Sequence, residues 1–175
     1  MHRHVLLLAV TGVALALALP GCPPAGGFPK PPFSAAGLYT GSWSGQSSDQ
    51  QPQYVQQCPL TLTLSQDYNA GYPGDHVVEG TATVDYSCMV LPAWIDTPPP
   101  STVNVGGILG DDGKMVLVSA GCGTGLCVVL TFDGTGQDTN ADKLMDAYSG
   151  TWSYSLLLAG VQPLTIQGTF DLIAG

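Results

Sequence analysis

The chain has 175 residues, four of them basic and thirteen acidic, for a formal net charge of −9 with histidine neutral. From residue 22 onward Lys30, Lys114 and Lys143 are the only cations against all thirteen acids, a net −10, so there is no basic patch to follow a phosphate backbone and nucleic-acid binding is excluded. Charged residues make up 10% of the chain; Ser, Thr, Gln and Gly supply the polar surface of a chain long enough for one domain with a proper core.

Met1-His2-Arg3-His4 is a weakly basic start, and the run from Val5 to Leu19 that follows is apolar and free of charge. It is shorter than the about 20 apolar residues that a spanning helix needs, and it fits the hydrophobic region of a secretory signal over residues 1–21. The run ends in Leu19-Pro20-Gly21-Cys22, which resembles the lipobox of bacterial lipoproteins, with Pro20 in place of the usual small or polar residue. That resemblance implies cleavage before Cys22, lipid on its sulfur and attachment to a membrane. Because Pro23 and not Asp follows Cys22, it also implies the outer membrane of a Gram-negative cell. Two or more acyl chains are enough for stable anchoring. Residues 22–36 are rich in Pro and Gly and read as a semi-extended tether of about 3 Å per residue, holding a domain over residues 37–175 roughly 40 Å from the lipid.

Past the tether no helical spacing persists beyond a turn or two, while Thr, Val, Leu and aromatic residues alternate repeatedly, so the domain reads as all-β. Eight strands are expected: Leu38 to Gly45, Cys58 to Gln66, Val78 to Cys88, Thr102 to Leu109, Lys114 to Gly121, Cys127 to Asp133, Ser149 to Leu158 and Pro163 to Ile173. Cys58, Cys88, Cys122 and Cys127 make an even number in an exported chain, which argues for two disulfides in one of three pairings. Alternation selects among them. A hairpin through Tyr72-Pro73-Gly74 that sets Cys58 against Cys88 also sets Leu60 against Tyr86, Leu62 against Val84 and Leu64 against Ala82, with Thr61, Thr63 and Ser65 facing Asp85, Thr83 and Thr81 on the other side. Cys122 and Cys127 flank Gly123-Thr124-Gly125-Leu126, a loop suited to a hairpin that brings them opposite each other. A zinc reading of that pair lacks further ligands, since His76 is the only histidine after residue 4.

Consecutive strands joined by turns form an antiparallel meander, and eight of them close into an up-and-down barrel that leaves no exposed edge; a β-sandwich is the alternative. Tyr39-Thr40-Gly41-Ser42-Trp43-Ser44 recurs as Tyr148-Ser149-Gly150-Thr151-Trp152-Ser153, placing an aromatic, a glycine and a tryptophan on one face of strands one and seven, where each Trp can plug an end of the interior. Gly41-Ser42-Trp43 near the start of the first strand resembles the G-x-W of the calycin barrels, the lipocalin and avidin group. The resemblance implies a small barrel with its floor closed by Trp43.

No catalytic constellation is legible, and a non-enzymatic role is expected. His76 and Glu79 are the sole His and Glu after the signal, beside a glycine-rich turn with no nucleophile motif, and Gly41-Ser42-Trp43-Ser44-Gly45 has Trp where a nucleophile elbow needs Ser. A meander places Asp67, Asp75, Asp111, Asp112, Asp133, Asp138, Asp142 and Asp146 on one rim. Within it Asp138, Asn140, Asp142 and Asp146 have the alternate-residue spacing of a calcium loop, without its glycine and its bidentate Glu; the other reading is a solvated, Asp-capped turn. At the opposite end, loops 46–57 and 89–100 are long and low in charge, and Tyr54, Leu91, Trp94 and Ile95 offer a ligand or partner surface or fold back as a cap. Three functions follow: a surface-anchored module that binds a small apolar ligand or a protein, a structural envelope lipoprotein, or, on barrel analogy, an inhibitor of secreted proteases.

Overall fold

A computed structural model describes residues 30–47, 54–68, 76–85, 87, 100–123, 126–158 and 164–175. Its strands are β1 (Gly37–Ser47), β2 (Tyr54–Gln66), β3 (Val77–Val84), β4 (Ser101–Leu109), β5 (Lys114–Gly123), β6 (Leu126–Gln137), β7 (Ala147–Leu158) and β8 (Leu164–Ala174). Each pairs antiparallel with the next, and β1 returns to β8 over nine residue pairs from Tyr39↔Ala174 to Ser47↔Ile166, closing an eight-stranded barrel. Closure by β1 and β8 is what a sandwich of two sheets would lack. It satisfies on both sides two strands that would otherwise present free N–H and C=O groups. The shortest ladder is β4–β5, with four pairs from Gly106↔Val118 to Leu109↔Met115.

The alternation that defines each strand also fills the barrel. Tyr39, Trp43, Leu60, Leu62, Leu64, Val78, Ala82, Val84, Val105, Leu109, Met115 and Leu117 point inward and are buried, as do Leu130, Phe132, Tyr148, Trp152, Tyr154, Ile166, Phe170 and Leu172. The repeated Tyr-x-Gly-x-Trp of β1 and β7 places equivalent rings inside. Tyr148 donates from its hydroxyl to the carbonyls of Met115 at 2.9 Å and Phe132 at 3.2 Å. Trp43 and Trp152 meet edge to face, their centroids 4.1 Å apart, and the Trp152 indole N–H donates to the Ser44 carbonyl at 2.9 Å. Both Trp residues lie mid-strand, so they fill the body of the barrel instead of plugging its ends.

Two sequence expectations are corrected. The β2–β3 ladder runs Leu60↔Val84, Thr61↔Thr83, Leu62↔Ala82, Thr63↔Thr81, Leu64↔Gly80 and Ser65↔Glu79, two residues away from the register inferred by setting Cys58 opposite Cys88. A side chain alternates faces with period two, so a slip of two keeps every residue on its proper face and polarity cannot detect it. The observed register has a steric signature instead: a Cβ on Gly80 would lie 2.0 Å from the Thr63 carbonyl oxygen, so only glycine fits there. The second correction concerns β6, which continues past Asp133 to Gln137 because Gly134 and Gly136 turn inward between Phe132 and the base. Asp133 is therefore on the outer wall and not on the rim.

Candidate functional site

The end of the barrel at which β1, β3, β5 and β7 begin, the base, is where the chain enters. Lys30 to Ala36 precede β1, and by composition they belong to the expected tether, yet most of this segment packs. Pro31 is buried, Phe33 is 5% exposed and Ala35 is fully buried. A Cβ on Gly136 would come 2.8 Å from Phe33 and 2.5 Å from the Met145 sulfur, so the missing side chain is what makes room for the Phe33 ring. The Pro/Gly bias that signals a tether stops being informative where an aromatic finds a hole of its own size. Residues 31–36 of the expected tether thus form a strap across the base.

Polar bonds hold the strap. Ser34 bridges Leu144 in parallel fashion, its N–H donating to the Lys143 carbonyl at 2.8 Å while its carbonyl accepts from Met145 N–H at 2.9 Å. Ala35 N–H donates to Gln66 Oε1 at 2.6 Å, the Tyr39 hydroxyl to the Ala35 carbonyl at 3.1 Å and the Tyr68 hydroxyl to the Pro31 carbonyl at 3.3 Å. Lys30 sits over the Tyr68 ring, 5.7 Å from its centroid. Burial, with the Asp146 charge nearby, pushes the Tyr39 phenol up to about 12.

The loop that receives the strap is the one with calcium-like spacing. Most of its carboxylate and amide oxygens are engaged by its own donors, while Asp138 Oδ1 is buried without a partner among the described residues. Asp146 Oδ2 accepts from the N–H and the hydroxyl of Thr139, both at 2.6 Å, and Oδ1 accepts from Asn140 Nδ2 at 3.4 Å. Asp142 accepts from Leu144 N–H at 2.8 Å and from Asn140 Nδ2 at 3.2 Å, Asn140 Oδ1 accepts from Asp142 N–H at 2.9 Å, and Asp138 Oδ2 accepts from Lys143 N–H at 3.0 Å. Hydrogen bonds from Thr139 hold the Asp146 carboxyl below the usual carboxylate range. Ala141 and Lys143 adopt positive φ of 63° and 71°, which turns the Lys143 carbonyl toward the strap. Among the described residues no three His, Cys, Asp or Glu side chains converge as a cation shell. The four residues build a clasp of side-chain to backbone hydrogen bonds.

Cys122 and Cys127 face each other across β5 and β6 and are disulfide-bonded, their Cα atoms 4.1 Å apart. Cys58 is fully buried and also disulfide-bonded, so it does not pair with either of them; Cys88 lies outside the described residues. The His76 Nδ1–H donates to the Leu109 carbonyl, 2.7 Å away, and Glu79 is exposed. At the end opposite the base, Tyr54 opens β2, while Leu91, Trp94 and Ile95, like Cys22 and Asp75, lie outside the described residues.

Among the described residues Trp43, Trp152, Tyr154, Phe132 and Phe170 are all buried in one cluster, and Phe170 packs edge to face with Phe132 at 5.4 Å between centroids. Concavity is found outside, where a groove of about 690 Å³ crosses β6, β7 and β8. Thr131, Asp133, Thr151, Ser153, Gln167 and Thr169 line it, a hydroxyl- and amide-rich surface with one carboxylate. Nothing in the sequence singled out that face, because its residues are merely the polar half of ordinary strand alternation. Comparison with protein-family models, curated proteins and solved structures returns no match to the chain.

Proposed function

We propose that the chain is a non-catalytic lipoprotein of the cell envelope, exported, lipidated on Cys22 and held at the outer membrane, whose barrel is a module for contact with a partner at its surface. The observation that carries this reading is the filled interior. A calycin-like barrel that carried a ligand would need a lumen of a few hundred Å³, whereas here two Trp, two Phe and Tyr154 are buried together in the core cluster. Contact with a protein or a small apolar group then falls to the outside: the segments bearing Tyr54, Leu91, Trp94 and Ile95, or the groove on β6 to β8. The non-catalytic assignment rests on the sequence, where His76 and Glu79 stand without a nucleophile motif.

The test is expression of the full chain in a Gram-negative host fed a clickable fatty acid. Label on the native chain, lost in Cys22→Ser together with membrane association, is expected, and an unlabelled native chain refutes the anchor. A photo-crosslinking residue in place of Trp94 is expected to capture a partner that the same residue in place of Leu157 does not. Lipid incorporation without capture at either position leaves the second reading, a structural envelope lipoprotein, which the solid core also favours over carriage of a ligand.

A further inference from the structure

We infer that the base of the barrel lies against a lipid surface, with its exposed aliphatic side chains at headgroup level. The inference rests on the proposed lipid at Cys22 and adds to it a contact face and an orientation. Leu38, Val77, Ile108, Val116, Leu144 and Ile173 are between 40% and 63% exposed. All six lie at or near the base: Leu38, Val77 and Val116 within the first three residues of β1, β3 and β5, Ile108 and Ile173 next to last in β4 and β8, and Leu144 in the clasp. Val77, Ile108 and Val116 are direct cross-strand neighbours. Of the other large exposed aliphatics among the described residues, Val118 continues this patch up β5 and Leu157 sits at the far end. Single exposed aliphatics need no explanation, but a set gathered at one end marks a contact.

The chain itself says what covers that end. Eight residues separate Cys22 from buried Pro31, and they reach at most about 30 Å when fully extended. An acyl-bearing Cys22 therefore confines the base, and not the opposite end, to the neighbourhood of the bilayer, where the effective concentration of lipid is high. The cations agree: Lys30, Lys114 and Lys143, the only ones after Arg3, are all exposed at this end. Lysines beside aliphatic residues lay their stems along apolar surface and extend their ammonium groups to phosphate. Of the acids at the same end, Asp138, Asp142 and Asp146 are engaged by the clasp donors and Asp112 by Lys114 at 3.3 Å, while Asp67 and Asp111 are exposed. With acids outnumbering lysines there, the surface that fits is zwitterionic lipid. A second copy of the chain could cover the same side chains, but it would leave the entry of the tether and the placing of the lysines without a reason.

Hydroxyl-radical footprinting of the acylated full chain on phosphatidylethanolamine–phosphatidylcholine vesicles, beside the Cys22→Ser chain free in solution, tests this. Oxidation at Leu38, Ile108, Leu144 and Ile173 is expected to fall at least about three-fold on vesicles, with Leu157 unchanged as the internal standard. Ile108→Ser with Ile173→Ser, both at exposed positions, is expected to return Leu38 and Leu144 to the free level while the acyl mass on Cys22 stays. Equal labelling on vesicles, with that acyl mass present, overturns the docking and leaves the anchor standing. Absence of the acyl mass overturns the anchor and this inference with it. Protection already present in the free Cys22→Ser chain assigns the face to a second copy and overturns the lipid contact.

Discussion

Replacing Phe33 by Ala removes the one large side chain that ties the strap to the barrel. Phe33 is 5% exposed, and its ring lies against the space left by Gly136, beside Met145 and Gly113. Burial of an aromatic of this size contributes about 1.5 to 3 kcal/mol, and an unrelaxed void raises the usual loss for Phe→Ala to about 3 to 5 kcal/mol. The strap has an escape that a core residue lacks, since it can leave the base instead of preserving a void, and the lower figure of about 3 kcal/mol is the one to expect. With about 2.1 cal/mol/K of unfolding entropy per residue over roughly 140 residues, that loss lowers the melting temperature by about 10 °C. Thermal unfolding of the soluble Cys22→Ser chain, with and without Phe33→Ala, reads the shift. Proteinase K in native buffer reads the escape as new cleavage between residues 33 and 37. A melting temperature within about 2 °C of the parent, with no new cleavage, would refute the account of the strap as part of the core.

The β2–β3 register predicts that Gly80→Ala is costly, on the order of 3 kcal/mol in urea unfolding, because the new methyl meets the Thr63 carbonyl; a parental midpoint would sink the register. Asp146 has a folded pKa below its unfolded value, so its contribution is present above the ordinary carboxylate range and is lost as pH falls through the folded value. Pepsin is accordingly expected to cut the strap faster as the solution is acidified, and Asp146→Asn to cut as fast at mild acidity as the parent does in strong acid; a parent whose cleavage is independent of acidity contradicts this. Tyr39 is raised from 10.0 to about 12 and Tyr148 is raised further still by deeper burial. Raised acids stabilise fully below the unfolded value and lose that contribution as pH climbs through the folded one, so alkaline unfolding is expected between pH 10 and about 12. Its check is phenolate absorbance against circular dichroism: ionisation of every tyrosine near pH 10 with the barrel intact would be the contrary result.

Strand number, order and closure were legible because inward and outward residues alternate cleanly in segments such as Leu60-Thr61-Leu62-Thr63-Leu64, and because no helix-length segment separates the strands. The register of β2 against β3 was not, since period two is blind to a shift of two; Gly80 held the missing information, but only a second strand shows why it must be glycine. The Cys122–Cys127 bridge was readable from a four-residue separation around a glycine turn. The strap was hidden by its own composition. Phe33, a large apolar residue four positions before β1, was its one visible sign. The spacing of Asp138, Asn140, Asp142 and Asp146 was ambiguous in principle, because oxygens on alternate residues serve a cation and a backbone turn equally well. The outer groove could not be read at all, since the sequence distinguishes inside from outside but does not report the curvature of the outside.

The strap also determines how the molecule answers a pull. On the proposed lipid anchor at Cys22, traction would arrive first at residues 31–36, held by buried Phe33 and a handful of hydrogen bonds, while β1 behind them is laced to β2 and β8 along its length. Release of the strap would add about 20 Å of leash, so a tug on that anchor would be taken up at the base before the β1 ladders are loaded.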